Sequence, residues 1–322
     1  MPELPEVETI VRGLEPVLRG VRITAVDVRE PRLRTPIPPE FTARLMGVRR
    51  EARDALAAAG LRPQKRWGQH FLCDPAVARR IVDAAELKPG AAVLEIGPGL
   101  GALTDELAAR AARLYLVEID RGLAARLVER HAARPHVRVL VGDVLALPLE
   151  TMLEDDDITV VANLPYNIAT PVLFRLLALR SRVRRAVVML QREVAARLAA
   201  PAGADARGAL SVMMQTWAEV RVAFGVSRRS FLPRPRVDSA VAVLRFTATP
   251  RVPLRDPTTY EAVVRAAFGQ RRKMLRNALA ALAAARGVDG AALFQRAGVD
   301  LRARAETLAL DDFARLAGAL ED

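Results

Sequence analysis

Between residues 92 and 190 the chain alternates short apolar runs with amphipathic segments. The apolar runs are Ala92–Ile96, Leu114–Ile119, Val137–Val141, Ile158–Ala162 and Ala186–Leu190. Nearly continuous apolar strands separated by helices are typical of a parallel sheet that helices cover on both faces. The pattern therefore predicts an α/β fold.

Further elements are predicted on either side of this region. Asp74 followed by Pro75 predicts the start of a helix, because aspartate caps helices and proline fits their first turn. The run Ser239–Phe246 predicts one more strand. After a proline-rich break at Pro250–Pro257 the pattern predicts only helices.

Residues 1–52 follow a different pattern. Apolar residues from Val7 to Leu14 recur at helical spacing, and alternation from Val21 to Val28 predicts a strand with a bulge. Acidic and basic residues nearly balance in this segment, so the basic character belongs to the rest of the chain. We expect a separate α+β fragment here, followed by a linker at 53–64.

Composition limits the possible partners. The formal net charge of +12 favours a polyanion, and nucleic acid is the leading class. The single cysteine, Cys73, excludes an intrachain disulfide and a multi-cysteine zinc site, which predicts a cytoplasmic protein without a metal. No apolar run is long enough for a membrane span. We expect no membrane association and a monomer.

Three successive strand ends carry residues suited to a nucleoside ligand. The first strand leads into a loop with Gly97, Gly99 and Gly101, which lets the backbone approach a ligand and fits NAD, FAD or S-adenosylmethionine. Glu118 ends the second strand, where a carboxylate accepts from both hydroxyls of a ribose. Asp143 ends the third, where it is placed to accept from an adenine amine.

The tetrapeptide Asn163-Leu164-Pro165-Tyr166 follows the fourth strand. An amide oxygen and a backbone carbonyl of Leu164 or Pro165 suit the two protons of an exocyclic amine, and Tyr166 supplies a ring for stacking. The glycine loop also has the spacing GxGxG rather than the dinucleotide pattern GxGxxG. Together these features favour S-adenosylmethionine and a purine substrate.

Residues from about 61 to 322 resemble the small-subunit (16S) rRNA adenine dimethyltransferase family, whose relatives include the macrolide-resistance rRNA methylases. The matching stretches are Lys65–Leu72, Glu95–Gly101, Asn163–Tyr166, Ser230–Val241 and Phe268–Lys273. The resemblance implies a Rossmann-like, S-adenosylmethionine-dependent methyltransferase domain at 65–250. It also implies a small all-helical, rRNA-binding domain at 251–322.

The resemblance further implies the reaction and its residues. The reaction would be N6-dimethylation of two adjacent adenosines in the 3′-terminal hairpin loop of 16S rRNA, with a small-subunit precursor as partner. The cofactor would be held by His70, Leu72, Gly97, Gly99, Gly101, Glu118, Asp143 and Asn163, and His70 stands where many relatives have Asn. Asn163 and Tyr166 would also hold the adenine, and Phe231 would stack on its other face.

Two arginine groups are candidates for RNA contact. Arg228, Arg229, Arg234 and Arg236 flank Phe231. Arg265, Arg272 and Arg276 are predicted to share one helical stripe. Either group is suited to phosphate binding, and either would also suit a solvated face.

Residues 1–52 resemble a different family, the N-terminus of the formamidopyrimidine-DNA glycosylases, as a fragment only, and the motif Met1–Thr9 carries the likeness. There the amine of Pro2 would attack a deoxyribose. The first lysine here is Lys65, inside the methyltransferase motif, and one cysteine cannot build that family's zinc finger. A DNA glycosylase/AP lyase acting on oxidised purines through Pro2 is the alternative function. An assembly factor whose binding matters more than its catalysis is a third.

Overall fold

The computed structural model describes residues 68–270 and 273–321. Its strands are β1 (Phe71–Leu72), β2 (Ala92–Ile96), β3 (Arg113–Glu118), β4 (Val137–Val141), β5 (Ile158–Asn163), β6 (Val183–Gln191), β7 (Ala218–Val226), β8 (Phe231–Leu232) and β9 (Ser239–Phe246). Its helices are α1 (Pro75–Ala84), α2 (Thr104–Ala108), α3 (Arg121–Arg130), α4 (Leu149–Met152), α5 (Ala169–Ala178), α6 (Arg192–Leu198), α7 (Ala209–Trp217), α8 (Pro257–Gly269), α9 (Leu275–Ala285), α10 (Gly290–Ala297) and α11 (Leu310–Glu321). Short 3₁₀ turns lie at Arg228–Ser230 and Ala305–Thr307.

Seven strands form one mixed sheet in the order β4-β3-β2-β5-β6-β9-β7. Strands β2 to β6 are parallel, whereas β9 runs antiparallel to both β6 and β7. The predicted α/β class and all six predicted strands are confirmed. Strand β7 was missed, because its exposed residues Glu219 and Arg221 interrupt the apolar pattern at this edge of the sheet.

The first helix begins where the sequence predicted. The carboxylate of Asp74 accepts from the backbone N–H groups of Ala76 and Val77 over 3.1 and 3.2 Å, and Pro75 occupies the first turn. Directly before it, β1 pairs antiparallel with β8 in a separate two-stranded sheet. This small sheet joins two segments that lie about 160 residues apart in the sequence.

Neighbouring residues of the parallel strands enter different cores. Val93 and Val161 pack on the side of α1 and α2, while Leu94 and Val160 belong to a larger core on the opposite side. The C-terminal helices share that larger core, and the hydroxyl of Tyr260 on α8 hydrogen-bonds Thr216 on α7 over 2.8 Å. The predicted helical C-terminal region is confirmed from α8 onward.

The carboxyl ends of the parallel strands β2 to β5 meet at one edge of the sheet. The loops that follow these strands therefore lie side by side, as required for a ligand site at this edge. Within the described ranges, no helix is both long and apolar enough to cross a membrane. The predicted fragment 1–52 and the linker 53–64 lie outside the described residues.

Candidate active site

A cavity of about 260 Å³ opens at this carboxyl edge. The loops after β2, β3, β4 and β5 line it, together with the segment that carries β1. The lining includes Gly68–Leu72, Glu95–Leu100, Val117–Ile119, Gly142–Val144 and Asn163–Ile168. The sequence-predicted residues His70, Leu72, Gly97, Gly99, Glu118, Asp143, Asn163 and Tyr166 are thus brought together.

The glycine loop turns against the cavity in a conformation that requires glycine. Gly97 and Gly99 have φ angles of +67° and +58°, which side chains rarely adopt. A methyl group at Gly99 would lie 3.1 Å from the ring of Phe71. Gly101, predicted to bind the cofactor, does not line the cavity. It is buried beneath the loop, where a methyl group would approach the guanidinium of Arg130 within 3.2 Å.

Glu118 is held at the end of β3 by backbone groups. Its Oε2 accepts from the N–H of Gly99 over 3.0 Å, and its Oε1 accepts from the N–H of Asp120 over 2.9 Å. The backbone N–H of Ile119 is a third donor to this carboxylate. A carboxylate has about four acceptor positions, so at least one remains for a ligand. Burial raises the pKa of Glu118. The bonds from the backbone orient the carboxylate before any ligand binds, as the prediction for a ribose site requires.

A second acid at the cavity, Glu95, was not singled out from the sequence. It lies inside β2, is almost completely buried, and its Oε2 accepts from the hydroxyl of Thr104 over 2.7 Å. Burial raises the pKa of Glu95 to about 8. Its carboxyl is therefore mostly protonated at neutral pH. An acid within an otherwise apolar strand was the signal that would have found it.

Asp143 lies beside the cavity on a tight turn after β4. Its Oδ1 accepts from the N–H of Leu145 over 2.9 Å. The preceding Gly142 donates its N–H to the carbonyl of Glu118 over 2.9 Å, and a methyl group there would meet Leu147 at 2.9 Å. This contact ties the end of β4 to the end of β3, so the two acidic residues face one cavity.

The side chain of Asn163 is oriented by the segment before β1. Its Nδ2 donates to the backbone carbonyl of His70 over 3.0 Å. Since the carbonyl only accepts, this contact assigns the amide nitrogen and leaves Oδ1 as the acceptor at the cavity. The carbonyl of Pro165 accepts from the N–H of Ile168 over 3.1 Å. Leu164 is therefore the better source of a second acceptor.

Tyr166 presents its ring beside the cavity. Its hydroxyl hydrogen-bonds Ser239 at the start of β9 over 2.8 Å, and burial raises the pKa of Tyr166, so the phenol is neutral. The ring of His70 lies 5.6 Å from it, centroid to centroid, with a tilt of 32°. Ser239 is fully buried and nothing in the sequence pattern marked it as part of the site.

Phe231 does not line the cavity, and its predicted stacking on a base has no support in this conformation. Its side chain is fully buried in the core that also contains Leu72 and Val226. The pairing of β8 with β1 turns Phe231 inward and leaves Leu232 half-buried. The aromatic ring of this sheet that does line the cavity belongs to Phe71.

The arginines around β8 are exposed beside the site. Arg228, Arg229, Arg234 and Arg236 all have exposed side chains. Asp238 orders the loop, because it accepts from the backbone N–H of Arg228 over 3.0 Å and pairs with Arg192 over 2.8 Å. The loop therefore presents positive charge next to β1, whose residues line the cavity.

The predicted helical stripe of arginines is wrong. Helix α8 ends at Gly269 and α9 begins at Leu275, so Arg265 and Arg276 lie on different helices. Arg265 also pairs with Glu261 over 2.6 Å. Arg276 is exposed on α9, and Arg272 lies outside the described residues.

The residues around the cavity suit S-adenosylmethionine. Gly97 and Gly99 leave room for a ligand to approach the backbone, and Glu118 offers a free acceptor position. The tetrapeptide Asn163–Tyr166, at the end of the neighbouring strand β5, forms another wall of the cavity. No group of three or more His, Cys, Asp or Glu side chains that would hold a metal occurs in the described part of the chain. The sheet and this cavity define a Rossmann-like S-adenosylmethionine-dependent methyltransferase.

Comparison with known proteins defines the class further. Residues 60–322 match the family model for ribosomal RNA adenine dimethylase. The chain belongs to this family and is an rRNA adenine dimethyltransferase. It is 44% identical to the ribosomal RNA small subunit methyltransferase A of Moorella thermoacetica, over 81% of this chain and 94% of the relative. For the Syntrophotalea carbinolica protein of the same name the values are 45%, 80% and 96%.

Solved structures agree with this assignment. The 23S rRNA methyltransferase ErmE superposes with a TM-score of 0.60 at 30% identity, covering 78% of this chain and all of that chain. A dimethyladenosine transferase from Plasmodium falciparum superposes with a TM-score of 0.64, over 77% of this chain and 96% of its own. Its identity of 24% supports the shared fold alone.

The N-terminal segment matches a second family. Residues 1–59 match the model for the formamidopyrimidine-DNA glycosylase N-terminal domain. The likeness predicted for residues 1–52 is confirmed, and the two matches meet at residues 59 and 60.

Proposed function

We propose that this protein dimethylates N6 of two adjacent adenosines in the 3′-terminal hairpin loop of 16S rRNA during small-subunit biogenesis. The support is the identity of 42–45% to several proteins named ribosomal RNA small subunit methyltransferase A. A further support is the helical C-terminal region, in which α8 to α11 follow the last strand of the methyltransferase sheet. The substrate is then a small-subunit precursor.

In this proposal His70, Leu72, Gly97, Gly99, Glu118, Asp143 and Asn163 hold S-adenosylmethionine. Bound there, the cofactor supplies a methyl group on a positively charged sulfur. Glu118 accepts from the ribose hydroxyls and Asp143 from the adenine amine of the cofactor. Gly101 is buried with a φ of +84° and contributes to the shape of the loop.

The orientation of the Asn163 amide is the observation that carries the reaction. Its nitrogen is committed to His70, so its oxygen accepts one N6 proton of the target adenine while a backbone carbonyl accepts the other. The N6 lone pair is normally delocalised into the ring, and holding both protons aligns it with the methyl carbon. The nitrogen gains the methyl group and loses one proton. No strong base is needed, because N6 carries a positive charge once it has bonded to the methyl group, and this cation releases its proton to water.

The target base must first leave its stacked position in the RNA, and the ring of Tyr166 then stacks on it. The bond to Ser239 fixes the phenol, so the ring is already placed when the base enters. The exposed group Arg228, Arg229, Arg234 and Arg236 binds phosphates around the mouth, with Arg276 contributing from α9. Phe231 takes part only if β8 separates from β1.

The test is mapping of dimethyladenosine in rRNA from a knockout strain and from the same strain complemented with wild type or Asn163→Ala. Wild type is expected to restore both dimethyladenosines and Asn163→Ala neither. Modification at a site outside the 3′-terminal hairpin would overturn the proposed target. Methylation restored by Asn163→Ala would overturn the assigned chemistry.

The alternative through Pro2 has one observation in its favour, the match of residues 1–59. Borohydride trapping on abasic DNA tests it, since only a lyase that attacks through an amine forms a reducible adduct. We expect no adduct. The monomeric state and the cytoplasmic location stay predictions.

A further inference from the structure

The small sheet of β1 and β8 connects the cavity to the arginine loop. Besides the strand pairing, the N–H of Cys73 donates to the carbonyl of Ser230 over 2.8 Å. The hydroxyl of Ser230 donates to Asp74 over 3.2 Å. The segment that forms one wall of the cavity is therefore fixed along its length to the residues just before Arg234 and Arg236.

His70 closes the other end of this connection. Its Nδ1 lies 2.7 Å from the carbonyl of Pro233, and because a carbonyl only accepts, Nδ1 carries the hydrogen. The backbone carbonyl of His70 accepts from Asn163, and its ring lies beside Tyr166. His70 thus lines the cavity and contacts both the tetrapeptide Asn163–Tyr166 and the arginine loop.

We infer that His70 is a positioning residue that couples cofactor binding to RNA binding. The inference rests on the proposed function, in which Arg234 and Arg236 contact RNA. A ligand in the cavity orders residues 68–72, and the bond from His70 to Pro233 passes that order to the arginine loop. RNA then loses less conformational freedom on binding, and the coupling is reciprocal.

Two substitutions separate the hydrogen bond from the ring. In His70→Asn the amide nitrogen is attached to Cγ, as Nδ1 is, so it keeps a donor for Pro233 and loses the ring beside Tyr166. His70→Phe keeps a ring and loses the donor. His136→Phe is the matched control, because His136 makes a similar bond to the carbonyl of Ala108 over 2.9 Å. His136 directly precedes β4 and so lies at the amino end of that strand, whereas the cavity lies at the carboxyl ends.

The experiment measures affinity for a transcript of the 3′-terminal hairpin of 16S rRNA, with and without saturating S-adenosylhomocysteine. We expect the ligand to tighten RNA binding by the wild type, His70→Asn and His136→Phe. In His70→Phe this enhancement falls by about 2- to 10-fold, the range that one neutral hydrogen bond contributes. Without the ligand, His136→Phe binds RNA like the wild type, and His70→Phe, whose arginine loop is less ordered, binds more weakly by a smaller factor than the enhancement it loses.

Hydrogen exchange of the unliganded proteins gives a second readout. Peptides covering 70–74 and 230–238 are expected to exchange faster in His70→Phe and at the wild-type rate in His70→Asn. Equal exchange and equal enhancement in all variants would overturn the inference, and so would a His70→Asn protein as uncoupled as His70→Phe. Faster exchange throughout β2–β6 would indicate general unfolding and would also contradict a local positioning role.

Failure of the proposed function has a different signature. If the arginine loop does not contact RNA, the double variant Arg234→Ala/Arg236→Ala binds the hairpin as tightly as the wild type without any ligand. That result leaves the exchange measurement at 230–238 unaffected. The two failures are therefore distinguishable.

Discussion

The side-chain amide of Asn163 donates to the backbone carbonyl of His70 over 3.0 Å, which joins the end of β5 to the segment before β1. This contact uses the amide as a donor on one side and leaves its oxygen as an acceptor on the other. The orientation of the group proposed to receive the target amine is therefore set by tertiary structure.

Asn163→Ala removes the acceptor and the contact to His70. We expect kcat to fall by about 100-fold or more, since misplacement of a reacting group by about 1 Å has effects of that size. Cofactor affinity should fall less than in Glu118→Ala. Methyl transfer to the hairpin transcript and equilibrium cofactor binding measure the two quantities. Asn277→Ala, at an exposed position on α9, serves as the control.

Asn163→Asp tests the orientation of the amide. Aspartate keeps two acceptor oxygens and loses the donor to His70, so a carboxylate oxygen would face the carbonyl and be repelled. We expect a loss of kcat close to that of Asn163→Ala. Activity near the wild-type level would show that the contact with His70 does not position the acceptor.

Gly99→Ala introduces both backbone strain and a contact of 3.1 Å with the ring of Phe71. The left-handed conformation alone costs about 1–2 kcal/mol for a residue with a side chain. Gly90→Ala is the matched control, because Gly90 has a φ of +83° and open space around it. We expect both variants to lose unfolding free energy, Gly99→Ala more because of the contact with Phe71, and only Gly99→Ala to bind the cofactor more weakly. Equal cofactor affinity in the two would contradict the close-approach role of the loop.

Glu95 predicts a pH dependence of stability. Its pKa is about 8 in the folded protein and lies near the ordinary value of 4.5 in the unfolded chain, so the folded state binds more protons between these values. Stability from this group is therefore present below about pH 4.5 and is lost as the pH rises towards about 8. Glu95→Gln keeps an acceptor for Thr104 and does not ionise. We expect the variant to be more stable at pH 7, by up to about 3 kcal/mol.

Urea unfolding of the unliganded proteins at several pH values measures this effect. The difference between Glu95→Gln and the wild type should grow from about pH 5 to about pH 8. A difference that stays constant over this range would show that Glu95 does not change its protonation there.

Arg234→Ala and Arg236→Ala should each weaken RNA binding without changing its sequence preference. If each arginine contacts one phosphate, the slope of log affinity against log salt falls by about 1 for each substitution. Arg296→Ala, exposed on α10, tests whether the loss of any surface arginine has the same effect. An unchanged slope in both loop variants would exclude these residues from the interface.

The predictable part of the molecule follows local rules. Apolar runs marked five parallel strands and β9, and Asp74 with Pro75 marked the start of α1, because strand burial and helix capping depend on neighbouring residues. Strand β7 was missed because it lies at an edge, where polar residues face solvent. The predicted arginine stripe was wrong because α8 ends at Gly269. Arg265 and Arg276 lie on different helices, so their spacing in the sequence does not place them on one helix face.

The sequence by itself determined the α/β class and the residues at the strand ends. It also marked the methyltransferase family, because glycine spacing and an apolar strand followed by Asn-Leu-Pro-Tyr are local patterns. Only the tertiary structure decided which way those groups face. Phe231 turns into the core, Gly101 lies beneath its loop, Glu95 is held protonated by burial, and Asn163 is oriented by His70. Each outcome depends on contacts between residues distant in sequence. For Glu95 the apolar strand does mark a buried acid, but the burial itself comes from the packing of other elements against β2.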